Sequence, residues 1–121
     1  MTPITCAEPI AFFVTPHPEY AYARSFCINR RLADTPWYDY VMNINAASPE
    51  LARHLAGIDR VEKIGIKEFS VEILIERHCD AGFFWPAIER QVKEIILAFL
   101  ADNELEIEEL ERIVGLRPHQ E

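Results

Sequence analysis

The sequence predicts a two-layer α+β sandwich, in which helices cover one face of a mainly antiparallel sheet built from two hairpins. Two patterns support this fold class: several segments alternate apolar and other residues with a period of two, and one later segment carries an apolar stripe at helical spacing. The 121 residues, half of them hydrophobic, suit a single domain that buries a core without a disulfide or a structural metal. The predicted order is β-β-β-α-β-β-α, followed by an acidic C-terminal helix.

Three strands are predicted in the amino-terminal part of the chain. Residues 10–15 and 20–28 both alternate with a period of two, which is typical of strands with one buried face. The segment Thr15–Pro16–His17–Pro18 separates them, because two prolines fix φ and remove donors from a sheet ladder. This short joint favours an antiparallel hairpin. Residues 37–44 are aromatic and β-branched, which indicates a third, weaker strand.

A short helix and a second hairpin follow. Ser48 and Pro49 have the residue types of a helix N-cap and of a first helical position, and Gly57 is expected to end this helix. Residues 61–66 and 69–75 are predicted as strands, because they are rich in isoleucine and valine and the second segment alternates clearly. Only two residues separate these strands, so they are expected to pair with each other.

The main helix is predicted over residues 85–100. Its apolar residues recur at three- and four-residue steps and form one broad face: Trp85, Ile88, Val92, Ile95, Ile96 and Phe99. We expect this face to pack against Phe69, Val71 and Ile73, which share the most apolar face of the fifth strand.

The C-terminal segment is strongly acidic, with six acidic residues and one arginine over residues 102–116. Asp102 and Asn103 are expected to cap a separate helix at this point. We therefore divide the chain into a domain at 9–101 and an acidic C-terminal helix or tail at 102–121. The tail is either a solvated helix face or a strip that recognises a basic partner surface.

The composition argues against several classes of partner. Twenty acidic residues against 12 lysines and arginines give a net charge of −8, which repels nucleic-acid phosphates and anionic lipid. No apolar run reaches the length of a membrane span, about 20 residues, and the amino terminus lacks the basic and apolar segments of a secretion signal. Three widely spaced cysteines, Cys6, Cys27 and Cys79, indicate reduced thiols. We therefore expect a cytoplasmic protein that binds neither nucleic acid nor membrane.

The densest cluster of potential metal ligands is His78–Cys79–Asp80, which Cys27 would have to join in the folded chain. Adjacent residues of an extended chain point to opposite sides and no spaced chelating pair is present, so a polar loop without metal is the competing interpretation. Cys27 lies on the small-residue face of its strand, where a buried structural thiol is the usual role. No pattern places a base and an oxyanion donor near a cysteine, and we expect no enzymatic activity.

Five segments of the chain form an ordered set of short motifs. They are Thr15–Pro16–His17–Pro18, Ser48–Pro49–Glu50–Leu51–Ala52 with Leu55, Ile58–Asp59–Arg60–Val61, the hairpin at 64–71, and Trp85 near the start of the last helix. In order and spacing they resemble the T-P-N-P, S-P-L-A-x-x-L, I-x-G-V and V-F-F-G-x-D-F-I-x-V motifs and the helix-opening Trp of the Nfu/NifU amino-terminal domain family. The sequence departs from this pattern at His17, where Asn is usual, at Arg60, where Gly is usual, and at Gly65, which is displaced from the hairpin glycine.

This resemblance, over residues 9–101, implies an accessory or adaptor domain of iron–sulfur cluster assembly, whose partners are iron–sulfur assembly or target proteins. In the family a second domain holds the cluster on a C-x-x-C pair, which this sequence lacks, so we expect protein–protein contact rather than cluster carriage. No cofactor is expected in the isolated chain, and iron or a cluster would be held only transiently. The implied docking feature is the turn of Thr15, Pro16, His17 and Pro18.

Two alternatives to this function stay open at the level of sequence. The first is a small α+β interaction or ligand-sensing domain unrelated to iron–sulfur assembly. The second is a metal-binding protein that uses the four candidate ligands Cys27, His78, Cys79 and Asp80.

Overall fold

The computed structural model describes the backbone of residues 9–114 and the side chains as far as residue 102, so that Cys6 and the end of the tail lie outside the described residues. The strands of this range are β1 (Phe12–His17), β2 (Tyr20–Ile28), β3 (Trp37–Tyr40), β4 (Val61–Ile66) and β5 (Ser70–Ile75). Its α-helices are α1 (Glu50–Leu55) and α2 (Ala81–Val114), and a single 3₁₀ turn occupies Val41–Asn43.

The five strands form one antiparallel sheet, in the order β1-β2-β5-β4-β3. β1 and β2 form one hairpin and β4 and β5 form the other, and the two hairpins join where β2 pairs with β5. β3 adds to β4 at the far edge of the sheet. The predicted α+β class and its two hairpins are therefore confirmed.

The core lies between one face of the sheet, which we call the covered face, and the two helices. Buried residues alternate along the strands, as Val71, Ile73 and Ile75 do on β5, where each is at most 1 % exposed. Helix α2 supplies the opposite wall with an apolar stripe: Trp85, Ile88, Val92, Ile96 and Leu100. The predicted packing of Val71 and Ile73 against this stripe is confirmed.

Trp85 fixes α2 on the sheet by polar contacts as well as by burial. Its indole Nε1–H donates a hydrogen bond to the carbonyl oxygen of Ala21, near the start of β2, at 2.8 Å. The Arg24 guanidinium lies over the Trp85 ring, 4.9 Å from its centroid, and pairs with Glu89 one turn further along α2. These contacts set the position of α2 along β2.

An ion-pair cluster braces the loop after β2 against the second hairpin. Arg31 in this loop donates to the carboxylate of Glu68 in the β4–β5 turn, and its Nη1 lies 3.4 Å from the Asp34 carboxylate. The hydrogen bond from Arg31 to Glu68, together with the charge of Glu68, raises the pKa of the Arg31 guanidinium. The Arg31 guanidinium therefore stays charged as it bridges the loop and the second hairpin.

Three strand boundaries differ from the prediction. β1 includes Thr15, Pro16 and His17, so these residues do not break it. Pro16 is tolerated because β1 is an edge strand, where the missing N–H of proline need not interrupt the ladder, and the register shifts directly after it. The prediction that Phe69 faces α2 is wrong, because it lies in the turn before β5 and is 50 % exposed. β3 ends at Tyr40, earlier than predicted, and the chain continues into the 3₁₀ turn.

The first helix begins differently from the prediction. Ser48 does not cap α1, because Pro49 occupies the N-cap position and no side chain closes the first turn. Instead, the Ser48 Oγ accepts a hydrogen bond from the backbone N–H of Asn45 at 3.0 Å. Ser48 therefore stabilises the loop before the helix rather than the helix itself.

The second helix is longer than predicted at both ends. It begins at Ala81, where the Asp80 carboxylate accepts a hydrogen bond from the backbone N–H of Phe83 at 3.3 Å and acts as an N-cap. The prediction of a separate acidic helix from Asp102 is wrong, because α2 continues without a break to Val114.

Candidate functional site

The sheet face opposite the helices forms the candidate functional surface, which we call the open face. Its side chains come from alternate positions of the five strands: Phe13 and Thr15 on β1, Ala23, Ser25 and Cys27 on β2, Tyr38 and Tyr40 on β3, Lys63 and Gly65 on β4, and Glu72 and Leu74 on β5. Its large aromatic residues remain exposed: Phe13 by 70 %, Tyr38 by 66 % and Tyr40 by 47 %. Exposed apolar groups collected on one face are typical of an interaction surface.

A depression of about 490 Å³ lies on the open face. Its floor is low because the side chains there are small, with Ala23 and Ser25 on β2 and Gly65 on β4. A Cβ atom added at Gly65 would lie 3.5 Å from the Cβ of Tyr38 and 3.6 Å from the Cβ of Glu72, which is ordinary van der Waals contact. A methyl group therefore fits at Gly65, whereas a larger side chain there would fill the depression.

The docking residues implied by the resemblance all line one side of this depression: Thr15, Pro16, His17 and Pro18. They lie at the end of β1 and in the turn to β2, and all four are exposed. The His17 Nδ1 accepts a hydrogen bond from the backbone N–H of Glu19 at 3.1 Å, and the imidazole meets the Tyr20 ring edge-on. The structure thus places this segment at the rim of a concave surface, with the His17 side chain held against the turn.

The opposite side of the depression is formed by Tyr38, Lys63 and Glu72, which sequence analysis misses. The Lys63 ammonium lies over the rings of Tyr38 and Tyr40, 4.6 and 5.1 Å from their centroids. The Glu72 carboxylate accepts a hydrogen bond from the Lys67 ammonium at 3.0 Å. The aromatic residues of β3 are the one sequence signal for this side of the depression. The position of β3 beside β4, however, depends on a strand order that local patterns do not predict.

The structure separates the candidate metal ligands. Cys27 lies opposite Ser70 at the start of β5, whereas His78, Cys79 and Asp80 follow the end of that strand. The five residue steps along β5 span about 17 Å, at about 3.4 Å per residue, so Cys27 does not reach the other three residues. Among the residues that the structure describes, no group of three or more His, Cys, Asp or Glu side chains is arranged to hold a metal ion.

Two of these residues have structural contacts instead. The Cys79 thiol donates a hydrogen bond to the carbonyl oxygen of Glu76 at 3.0 Å, and its side chain packs at the edge of the core. Asp80 caps α2, as described above. Cys27 and Cys79 are both free thiols. His78 is exposed and lines a second cavity at the end of the sheet.

Comparison with known proteins identifies no relative of this chain. No protein-family model matches it, and no curated protein and no solved structure matches it either. Over residues 9–114, no helix combines the length and the apolar character needed to cross a membrane. The functional conclusion therefore depends on the sequence motifs and on the geometry of the open face.

Proposed function

We propose that this domain is an accessory or adaptor domain of iron–sulfur cluster assembly, which acts through protein–protein contact and does not itself carry the cluster. The observation that carries the proposal is the position of the Thr15–Pro18 segment, the counterpart of the family T-P-N-P turn, at the rim of the open face. Protein interfaces are enriched in aromatic residues, and Phe13, Tyr38 and Tyr40 are exposed on this same face. The motif and the candidate docking surface therefore coincide.

The backbone at Arg60 supports the family resemblance. Arg60 stands at the glycine position of the I-x-G-V motif, and its φ is 74°, the one positive value among the described residues other than glycine. Glycine adopts this left-handed conformation freely, whereas other residues lose about 1–2 kcal/mol in it. The chain thus keeps, at this turn, the backbone conformation that a glycine favours, although the residue is arginine.

The positions of the described cysteines favour contact over cluster carriage. An iron–sulfur cluster is held by several thiolates at one place. Cys27 and Cys79 lie near opposite ends of β5, so these two thiols of one chain cannot ligate the same cluster. The proposed role is therefore recognition of iron–sulfur assembly or target proteins, which hold the cluster themselves.

A ligand-sensing domain unrelated to iron–sulfur assembly is the second candidate, and the depression on the open face favours it. Its volume of about 490 Å³ falls within the range of small-molecule sites, about 300–1,000 Å³. A thermal-shift screen of small molecules distinguishes this role. A ligand that stabilises the native chain, but not a Gly65→Leu variant with a filled depression, would favour sensing over docking.

Affinity capture from the native host tests the adaptor role. With the unaltered chain as bait, we expect mass spectrometry to find cysteine desulfurase, scaffold or cluster-receiving proteins enriched over a bait-free control. Phe13→Ser and Tyr38→Ser remove exposed aromatic groups from the open face and should abolish this enrichment. Leu97→Ser is the matched control, because Leu97 is also exposed, by 42 %, but lies on α2.

Two outcomes of the capture experiment contradict the proposal. If no iron–sulfur assembly or target protein is enriched with the unaltered chain, the assignment to cluster assembly is wrong. If the two open-face variants retain their partners as well as Leu97→Ser does, docking occurs on another surface.

A further inference from the structure

A second cavity, of about 620 Å³, lies at the end of the sheet where β5 leads to α2. We call it the basic cavity, because three basic side chains line it: Arg60, Arg77 and His78. The pairing of β4 and β5 brings them together, since the backbone N–H of Glu76 donates to the carbonyl oxygen of Arg60 at 3.0 Å. The basic cavity shares only Tyr20 and Leu74 with the depression on the open face, so it is a distinct site.

Arg60 lines the basic cavity in a backbone conformation that is unfavourable for residues other than glycine. Its left-handed φ of 74° is one that glycine adopts without strain, so the turn itself does not need an arginine. Its guanidinium carbon lies 4.1 Å from the centroid of the Phe84 ring, and its Nη1 lies 3.2 Å from the Glu76 carboxylate. Its Nε is buried and has no hydrogen-bond partner among the described residues. Backbone strain that positions a polar side chain is typical of a functional site.

Arg77 has unused capacity to donate hydrogen bonds. Its Nε–H donates to the hydroxyl oxygen of Tyr20 at 3.1 Å, and a guanidinium has five N–H donors in total. Within residues 9–102 it takes part in no ion pair. The Tyr20 hydroxyl takes up only one of these donors, and the neighbouring His78 supplies a further donor. An anionic group is therefore the ligand that these side chains suit.

Two carboxylates in the same cavity decide which anion fits. The Glu76 carboxylate is paired with Arg60, whereas Glu62 forms no ion pair among the described residues. Both repel a doubly charged phosphate more strongly than a ligand with one charge. A carboxylate carries one charge and matches the planar guanidinium with two parallel hydrogen bonds. We propose that the basic cavity binds a carboxylate group, held by Arg77 with Arg60 and His78 as further donors.

The carboxylate belongs either to a free organic acid or to an acidic side chain of a peptide, and titration separates these sources. The full-length chain, labelled with nitrogen-15, is titrated with acetate, with the capped peptide acetyl-Gly-Glu-Gly-amide and with inorganic phosphate at constant ionic strength, so that each carboxylate probe carries a single negative charge. We expect saturable shifts at Arg77 and His78 with at least one carboxylate, and weaker binding of phosphate. Tighter binding of acetate assigns the site to free acids, and tighter binding of the peptide assigns it to acidic peptides.

Three variants test the assigned residues. Arg77→Gln should weaken carboxylate binding about tenfold or more, as expected when charge-assisted hydrogen bonds are lost. Arg60→Gly should also weaken binding while the chain stays folded, because glycine accepts the left-handed φ. Arg90→Gln is the control, because it removes the same charge from an exposed site on α2 and should leave binding unchanged.

The proposal is overturned by any of three results. These are the absence of saturable binding by both carboxylates, binding of phosphate that is tighter than that of both carboxylates, and equal losses of binding in Arg77→Gln and Arg90→Gln. A cooperative thermal transition measured for each variant shows whether a loss of binding reflects a loss of folding.

Discussion

Ile73 provides a sharp test of the packing, because its neighbour Leu74 lies on the opposite face of the same strand. Ile73 is 1 % exposed in the core under α2, whereas Leu74 is only partly buried on the open face. Ile73→Ala removes three buried carbons, each worth about 0.8 kcal/mol, and leaves a cavity, so we expect the free energy of unfolding to fall by about 3–4 kcal/mol. Leu74→Ala removes three carbons from a side chain that keeps solvent contact, and should cost about 1 kcal/mol.

Urea unfolding, followed by circular dichroism and by tryptophan fluorescence, measures both losses. Each variant should unfold in a single transition with the slope of the unaltered chain, so that the shift in midpoint reports stability alone. A sheet displaced by one residue would exchange the two faces and therefore the two costs. Equal losses, or a larger loss for Leu74→Ala, would refute the assigned faces.

Three further predictions concern single features of the fold. Trp85→Phe removes the donor to the Ala21 carbonyl and leaves a small cavity, so urea unfolding should show a loss of about 2–4 kcal/mol; a loss below about 1 kcal/mol would show that this contact does not fix α2. His17→Ala should leave the calorimetric melting temperature nearly unchanged but reduce partner capture, and undiminished capture would remove His17 from the docking surface. Deletion of residues 103–121 should preserve cooperative melting, because the buried core among the described residues ends at Leu100; a broad transition would contradict this.

The strands and their buried faces could be predicted because alternation is a local signal. Val71 and Ile73 follow from their spacing along the chain, and each is buried as that spacing requires. On β2 the alternation does not show which face is buried: the expectation of a buried thiol at Cys27 is wrong, because Cys27 is only partly buried on the open face and Phe26 is buried instead. Other wrong predictions concern residues whose place in or outside a strand depends on distant parts of the fold. Pro16 stays in β1 because this strand lies at the sheet edge, and Phe69 points away from the core because the tight turn takes it out of the strand.

The continuous α2 shows a second limit of local patterns. Asp102 and Asn103 are good capping residues, and their types alone predict a new helix. A helix can also continue across such residues, because its backbone groups are already bonded four residues apart. The choice between these outcomes is not encoded in the two residues themselves, and here the helix continues.

The candidate sites could be predicted only in part. The Thr15–Pro18 segment was identified through its resemblance to a family motif, and it lies on the open face. Tyr38 and Lys63 line the other side of the depression. They come from β3 and β4, and the order of the strands in the sheet places them across from the Thr15–Pro18 segment. In the same way, β4 and β5 bring Arg60 and Arg77 together, and the arginine at a family glycine position was the one sequence signal for the basic cavity.

Photo-crosslinking from the open face tests the docking role most directly. Benzoylphenylalanine is introduced at Tyr38, which is 66 % exposed on the open face, and in a control at Leu97 on α2. After irradiation of the native host, mass spectrometry identifies the attached proteins. We predict crosslinks to an iron–sulfur assembly or target protein from position 38 and none from position 97. Crosslinks from position 97 alone, or from position 38 only to proteins outside iron–sulfur assembly, would contradict the proposed function.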